Sequence, residues 1–112
     1  MIRPLIALAV LIAATPAVAQ RVSPAVQQRL AALGAQLGQC HRSAAVRMAR
    51  TRLSADQVAD RALAACAPRE APIRAALVGN IGQARAQRVL GLQRQHWRQA
   101  IRNIVQQTRF TR

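Results

Sequence analysis

The chain has 112 residues and a formal net charge of +14, because 17 basic residues stand against only three acidic ones. This length suits one small domain and argues against a multidomain protein. So few carboxylates leave little material for acid–base catalysis. Every basic residue is arginine, which indicates an anionic partner, although a GC-rich genome would also enrich arginine and alanine.

The first 19 residues have the pattern of a secretory signal peptide. Arg3 supplies a positive n-region, residues 5–14 form an apolar run, and residues 17–19 match an A-x-A cleavage motif. The run is too short to span a bilayer comfortably, so an uncleaved anchor is the weaker alternative. We expect cleavage between Ala19 and Gln20 and export to the periplasm or the medium. The mature residues 20–112 would then form one domain with a charge of +13 and no transmembrane segment.

The first predicted helix begins at Ser23 and Pro24, a pair typical of an N-cap and the first helical position. Apolar or small residues then recur at steps of three and four, as on one face of an amphipathic helix: Val26, Leu30, Leu33, Leu37, Cys40, Ala44 and Met48. Beside them lies a face of small residues that includes Gly34 and Gly38. Because glycine inside a helix costs about 1 kcal/mol relative to alanine, we expect another helix to pack closely there; the alternative is that the glycines only weaken this helix.

A turn over residues 51–53 leads into the second predicted helix. Ser54 and Gln57 have the spacing of a capping box. Asp56 lies in the first turn, where a negative charge suits the helix dipole. The apolar side of this helix consists of Val58, Ala59, Ala62, Leu63 and Cys66.

The segment CAPREAP, residues 66–72, contains two prolines and is expected to break the second helix. A third helical stretch follows from about residue 71 to residue 108, and a kink or short break near Gly79 and Gly82 stays open. No strand-like alternation occurs. The predicted fold is therefore an all-α, three-helix domain, made of a helical hairpin and a long C-terminal helix.

The two cysteines, Cys40 and Cys66, are predicted to form one intrachain disulfide, the usual state in an exported chain. Cys40 lies 12 residues before residue 52 and Cys66 lies 14 residues after it. In an antiparallel hairpin the two positions therefore lie at nearly the same height, within reach of a disulfide.

Two alternatives for the cysteines involve a cofactor. The segment LGQCH resembles the haem motif C-x-x-C-H without its first cysteine. A zinc site would use Cys40, His41, Cys66 and His96, but these residues lack the close Cys–Cys and His–His spacings of zinc sites. We therefore expect no cofactor and no metal. His41 is interpreted as an exposed or edge histidine beside the disulfide.

The chain lacks the motifs of nucleophilic, phosphate-loop or redox catalysis, so we expect a binding protein and not an enzyme. The predicted site for an anionic surface lies on the C-terminal helix and comprises Arg94, Trp97, Arg98, Arg102 and Arg109. Such a helix suits an anionic membrane surface, a polyanion or an acidic protein. Alternatively, Trp97, Ile101 and Ile104 pack on the first helix and the arginines are solvated. Export and the scarcity of aromatic residues argue against nucleic acid.

The segment LSADQ, residues 53–57, resembles one copy of the L-T-x-x-Q motif of the Spy/CpxP group of periplasmic proteins. The matching residues are Leu53, Ser54 and Gln57. The group typically has two such motifs, and this chain has one. The resemblance implies a small helical fold and, as an alternative function, ATP-independent chaperone activity on unfolded clients. The layout of a signal peptide, a two-cysteine hairpin and a basic helix also resembles small exported bacterial proteins of no assigned activity.

Overall fold

The computed structural model describes residues 22–111, which form four α-helices and no strand. The helices are α1 (Pro24–Met48), α2 (Ala55–Ala65), α3 (Ala67–Ile81) and α4 (Gln83–Phe110). They include 88% of the described residues, which confirms the all-α class. The predicted signal peptide and its cleavage site lie outside the described residues.

The predicted caps of the first two helices are confirmed. The Ser23 hydroxyl accepts a hydrogen bond from the Val26 amide at 3.3 Å, and Pro24 follows at the first position, where a missing N–H costs little. At α2, the Ser54 hydroxyl accepts from the Gln57 amide at 3.1 Å, and the Gln57 side chain accepts from the Ser54 amide at 2.9 Å. These bonds satisfy amide groups that the helices leave without acceptors.

The segment 66–72 interrupts the helix only at Cys66, so α3 begins earlier than expected and includes both prolines. Pro68 lies in the first turn, where backbone N–H groups have no intrahelical acceptor. Pro72 removes only one hydrogen bond, to the carbonyl of Pro68 at the helix start. Prolines this close to an N-terminus are therefore compatible with the helix.

The prediction of one long C-terminal helix, and with it the three-helix count, is wrong. The chain leaves helical geometry at Gly82, which has φ 84° and ψ 161°. This region of backbone space is open essentially only to glycine. The break lets α3 and α4 pack on each other while both contact α1.

The core lies where α4 packs against the other three helices. Its largest fully buried side chains are Leu37, Val58, Cys66, Ile101 and Val105, and alanines form much of the remainder. The predicted disulfide is confirmed: the Cα atoms of Cys40 and Cys66 are 6.0 Å apart across a sequence separation of 26 residues. It links α1 to the α2–α3 junction in a core with few large side chains.

The small-residue face of α1 packs closely only at its C-terminal end, where Ala45 and Ala49 are buried in the core, and not at its two glycines. A methyl group added at Gly34 or Gly38 would meet no atom within 4 Å. These two glycines therefore weaken α1 without a compensating contact.

Candidate functional site

The flank of α4 that was predicted to bind anions faces carboxylates of α2 and α3. Arg94 donates two hydrogen bonds to one oxygen of Glu70, from Nη2 at 2.7 Å and from Nε at 3.1 Å. Glu70 is buried, and the same oxygen accepts a hydrogen bond from Arg74 at 3.2 Å. Arg94 therefore neutralises a buried charge and joins α3 to α4.

The next two arginines of this flank pair with α2. Arg98 donates a hydrogen bond to Asp60, and Arg102 Nε lies 3.4 Å from an oxygen of Asp56. The hydrogen bond from Arg98 lowers the pKa of the Asp60 carboxyl and raises the pKa of Arg98. Both carboxylates are exposed, so these ion pairs orient α2 on α4 more than they stabilise the fold.

Arg109, the last arginine of the predicted site, binds the turn between α1 and α2. Its Nε donates to the Ala49 carbonyl at 3.0 Å, and its Nη2 donates to the carbonyls of Thr51 and Leu53 at 3.3 and 2.6 Å. Carbonyl groups after a helix end lack intrahelical donors. The guanidinium supplies donors there and fixes the end of α4 to the turn.

Trp97 is half-buried against the core, and the centroids of the Trp97 and His41 rings are 5.4 Å apart. His41 is only 5% exposed, so its interpretation as an exposed or edge residue is wrong. Burial lowers the pKa of His41, and the negative charge of Glu70 partly opposes this shift. Trp97 and Ile104 pack against the core and Ile101 lies inside it, as in the alternative considered for the apolar face of this helix.

The structure thus brings the five predicted site residues together along α4 and gives each one a contact within the chain. The sequence carried a signal for part of this arrangement. Asp56 and Asp60 are four residues apart, as are Arg98 and Arg102. When the two helices run antiparallel, this equal spacing lets Asp60 face Arg98 while Asp56 faces Arg102.

Other arginines remain available to a ligand. Eight described arginines are exposed and make no side-chain hydrogen bond or ion pair with the described residues. They are Arg29, Arg42, Arg50, Arg52, Arg61, Arg69, Arg85 and Arg88. Their net charge is unopposed because all three acidic residues of the chain are engaged by α3 and α4 arginines.

One end of the molecule combines unpaired arginines with an exposed aromatic side chain. Arg109 holds the last turn of α4 against the α1–α2 turn, which carries Arg50 and Arg52. The next residue, Phe110, is 88% exposed. We call Arg50, Arg52, Arg109 and Phe110 the basic tip. The sequence prediction assigned Trp97, and not Phe110, as the aromatic residue of the anion-binding site. The closely spaced arginines in RMARTR, residues 47–52, are the sequence signal that could have indicated the basic tip.

A cleft beside the disulfide contains further hydrogen-bond donors. Its volume is about 280 Å³, and its lining residues are Gln36, Gln39, Cys40, Ser43, Arg47 and Arg69. A separate groove of about 230 Å³ is mostly apolar and is lined by Leu30, Ile73, Leu77, Val89 and Trp97, among others.

The described residues contain no group of three or more His, Cys, Asp or Glu side chains arranged for a metal ion. Within residues 22–111, no helix has both the length and the apolar character needed to cross a bilayer. Because Cys40 and Cys66 are joined to each other, neither offers a thiol for haem attachment or zinc ligation.

Comparison with known proteins finds no matching family model, no matching curated protein and no matching solved structure.

Proposed function

We propose that this protein is a non-enzymatic, exported binder of anionic envelope surfaces and that it makes contact through the basic tip. The observation that carries the proposal is that the 88% exposed Phe110 directly follows Arg109, whose guanidinium is bound to the turn that carries Arg50 and Arg52. An aromatic ring at a lipid interface can enter the acyl boundary while neighbouring arginines remain at the phosphate level.

The distribution of charge supports this choice of surface. The charges of Arg94, Arg98 and Arg102 are partly neutralised by the carboxylates that they face, whereas Arg50 and Arg52 have no side-chain partner among residues 22–111. Each arginine near an anionic membrane contributes about 1 kcal/mol. Two unpaired arginines and one exposed ring therefore give a reversible, salt-sensitive attachment.

The test is co-sedimentation of the mature chain with phosphatidylglycerol vesicles at low salt. We expect Arg50→Gln/Arg52→Gln to weaken binding by about 30-fold, equivalent to about 2 kcal/mol. We expect Phe110→Ser to weaken it by about tenfold, because the ring loses partial burial. The matched control is Arg85→Gln/Arg88→Gln, which removes the same charge at the other end of α4 and should change affinity less than threefold by the same reasoning.

Equal losses in the two double variants would contradict a localised tip and indicate attraction by net charge alone. Persistence of wild-type binding in Arg50→Gln/Arg52→Gln would overturn the proposal. If a soluble polyanion binds the protein more tightly than the vesicles do and displaces it from them, the arginines are assigned to a polyanion instead.

The apolar groove favours a second candidate, the Spy-like chaperone. Leu30, Leu77, Val89 and Trp97 are each half-buried at its walls, and Gly34 leaves open space on its floor. The positive charge of the chain favours unfolded clients with a net negative charge. Gly34→Leu would fill the groove and should abolish suppression of client aggregation, whereas Gly91→Leu, outside the groove, should not. Absence of suppression by the wild-type chain at stoichiometric amounts would exclude this function.

A further inference from the structure

We propose that the cleft beside the disulfide is a binding site for a phosphate group, separate from the basic tip. The cleft lies between α1 and the start of α3 and has a volume of about 280 Å³. This volume is near the lower limit of small-molecule sites. It therefore suits inorganic phosphate or the head of a small phosphate monoester.

Five of the six residues that line the cleft have a side chain that can donate a hydrogen bond. Arg47 and Arg69 supply two guanidinium groups, and Gln36, Gln39 and Ser43 supply two amides and a hydroxyl, with no carboxylate among the lining residues. A guanidinium fork matches the oxygen atoms of phosphate in geometry and charge. Two forks favour a dianionic phosphate over a singly charged carboxylate.

Both guanidinium groups are free to bind. Arg69 has no side-chain partner among residues 22–111. Arg47 donates only its Nε, to the Ser43 carbonyl at a long 3.4 Å, so both terminal nitrogens remain available. Glu70 follows Arg69 in sequence, but its charge is held by Arg74 and Arg94.

The disulfide fixes the two helix segments that carry these arginines relative to each other. Cys40 and Arg47 are seven residues apart on α1, about two helical turns, so they lie on the same side of the helix. Cys66 immediately precedes α3, and Arg69 lies in the first turn of that helix, where the helix dipole also attracts an anion. A crosslink between the two segments lowers the ordering cost of binding.

The test is an NMR titration of the ¹⁵N-labelled mature chain with inorganic phosphate, with ionic strength kept constant by sodium chloride. We expect saturable shifts of the side-chain Nε–H signals of Arg47 and Arg69. Arg47→Gln/Arg69→Gln should weaken phosphate binding by at least about tenfold. The charge-matched control Arg85→Gln/Arg88→Gln should bind phosphate within about twofold of wild type. An unchanged far-UV circular dichroism spectrum and Tm show that each variant is folded.

Vesicles distinguish the two sources of the phosphate. If phosphatidic acid vesicles displace inorganic phosphate and phosphatidylglycerol vesicles do not, the ligand is a lipid phosphomonoester. If neither vesicle displaces it, the ligand is soluble phosphate. Absence of saturable shifts at Arg47 and Arg69, or an equal loss in the control variant, would overturn the proposal. Because the titration uses a soluble ion, it gives its answer even if the basic tip binds no membrane.

Discussion

Arg109 provides the sharpest test of whether the residues predicted to bind anions instead stabilise the fold. Its guanidinium donates to three carbonyls of the α1–α2 turn, at 2.6, 3.0 and 3.3 Å. Arg109→Lys keeps the positive charge but cannot reproduce the planar fork that spans these carbonyls. Hydrogen bonds to charged groups contribute about 1.5–3 kcal/mol each, and solvent competes for those that are exposed. We therefore expect a total loss of about 2 kcal/mol, or about 10 °C in Tm for a domain of this size.

Urea unfolding followed by circular dichroism measures this loss, and Arg85→Lys is the control on the same helix. Arg85 is exposed and has no side-chain partner among the described residues, so its replacement should change stability by less than about 0.5 kcal/mol. If the two lysine variants unfold at the same urea concentration, the carbonyl contacts do not hold the turn and the reasoning fails. Vesicle binding of the folded Arg109→Lys protein should stay near the wild-type level, because a lysine retains the charge.

Three further predictions concern the crosslink, a buried histidine and the glycines. Cys40→Ala/Cys66→Ala should lower the free energy of unfolding by about 3.5 kcal/mol, because the disulfide closes a loop over a separation of 26 residues and so lowers the entropy of the unfolded chain. A loss below about 1 kcal/mol in urea unfolding would contradict this prediction. Because burial lowers the pKa of His41, the unfolded chain binds a proton more readily, and Tm should fall as pH decreases through the ordinary histidine range near 6.5. Comparison of Tm against pH for wild type and His41→Leu tests this, since the variant should lose that part of the decrease. Gly34→Ala should raise stability by about 0.5–1 kcal/mol because the added methyl group meets no atom. Gly82→Ala should lower it by about 1–3 kcal/mol because alanine is strained at φ 84°. Calorimetry that shows the same sign for both glycine variants would contradict this assignment.

Local signals in the sequence were enough for the features that short-range chemistry determines. The Ser54–Gln57 capping box depends on four consecutive residues, and the pairing of Cys40 with Cys66 follows from counting residues on either side of one turn. The break at Gly82 could not be located in the same way, because Gly79 and Gly82 look alike in a helical pattern. Only the packing of two helix segments against α1 decides which glycine takes positive φ.

The candidate site was harder to predict because arginine periodicity cannot distinguish a solvated flank from one paired across helices. The α4 arginines have the spacing of a surface-binding helix, yet Arg94 and Arg98 are bound to carboxylates from other parts of the chain. Conversely, Arg47 and Arg69 are far apart in sequence and share a cleft only because the fold joins their helices. Their proximity is a tertiary property with no local sequence pattern.

The charge distribution explains why position matters more here than net charge. At physiological ionic strength the Debye length is about 8 Å, so exposed charges farther apart than this act nearly independently. The three acidic residues all pair with arginines of α4, and Glu70 also engages Arg74 on its own helix. The remaining arginines can bind an anion strongly only where the fold gathers several donors within that distance. In both the basic tip and the disulfide cleft, available guanidinium groups occur together with a second suitable feature, an exposed ring in one case and further polar donors in the other. A variant series that lowers net charge equally at each location therefore separates local recognition from general attraction.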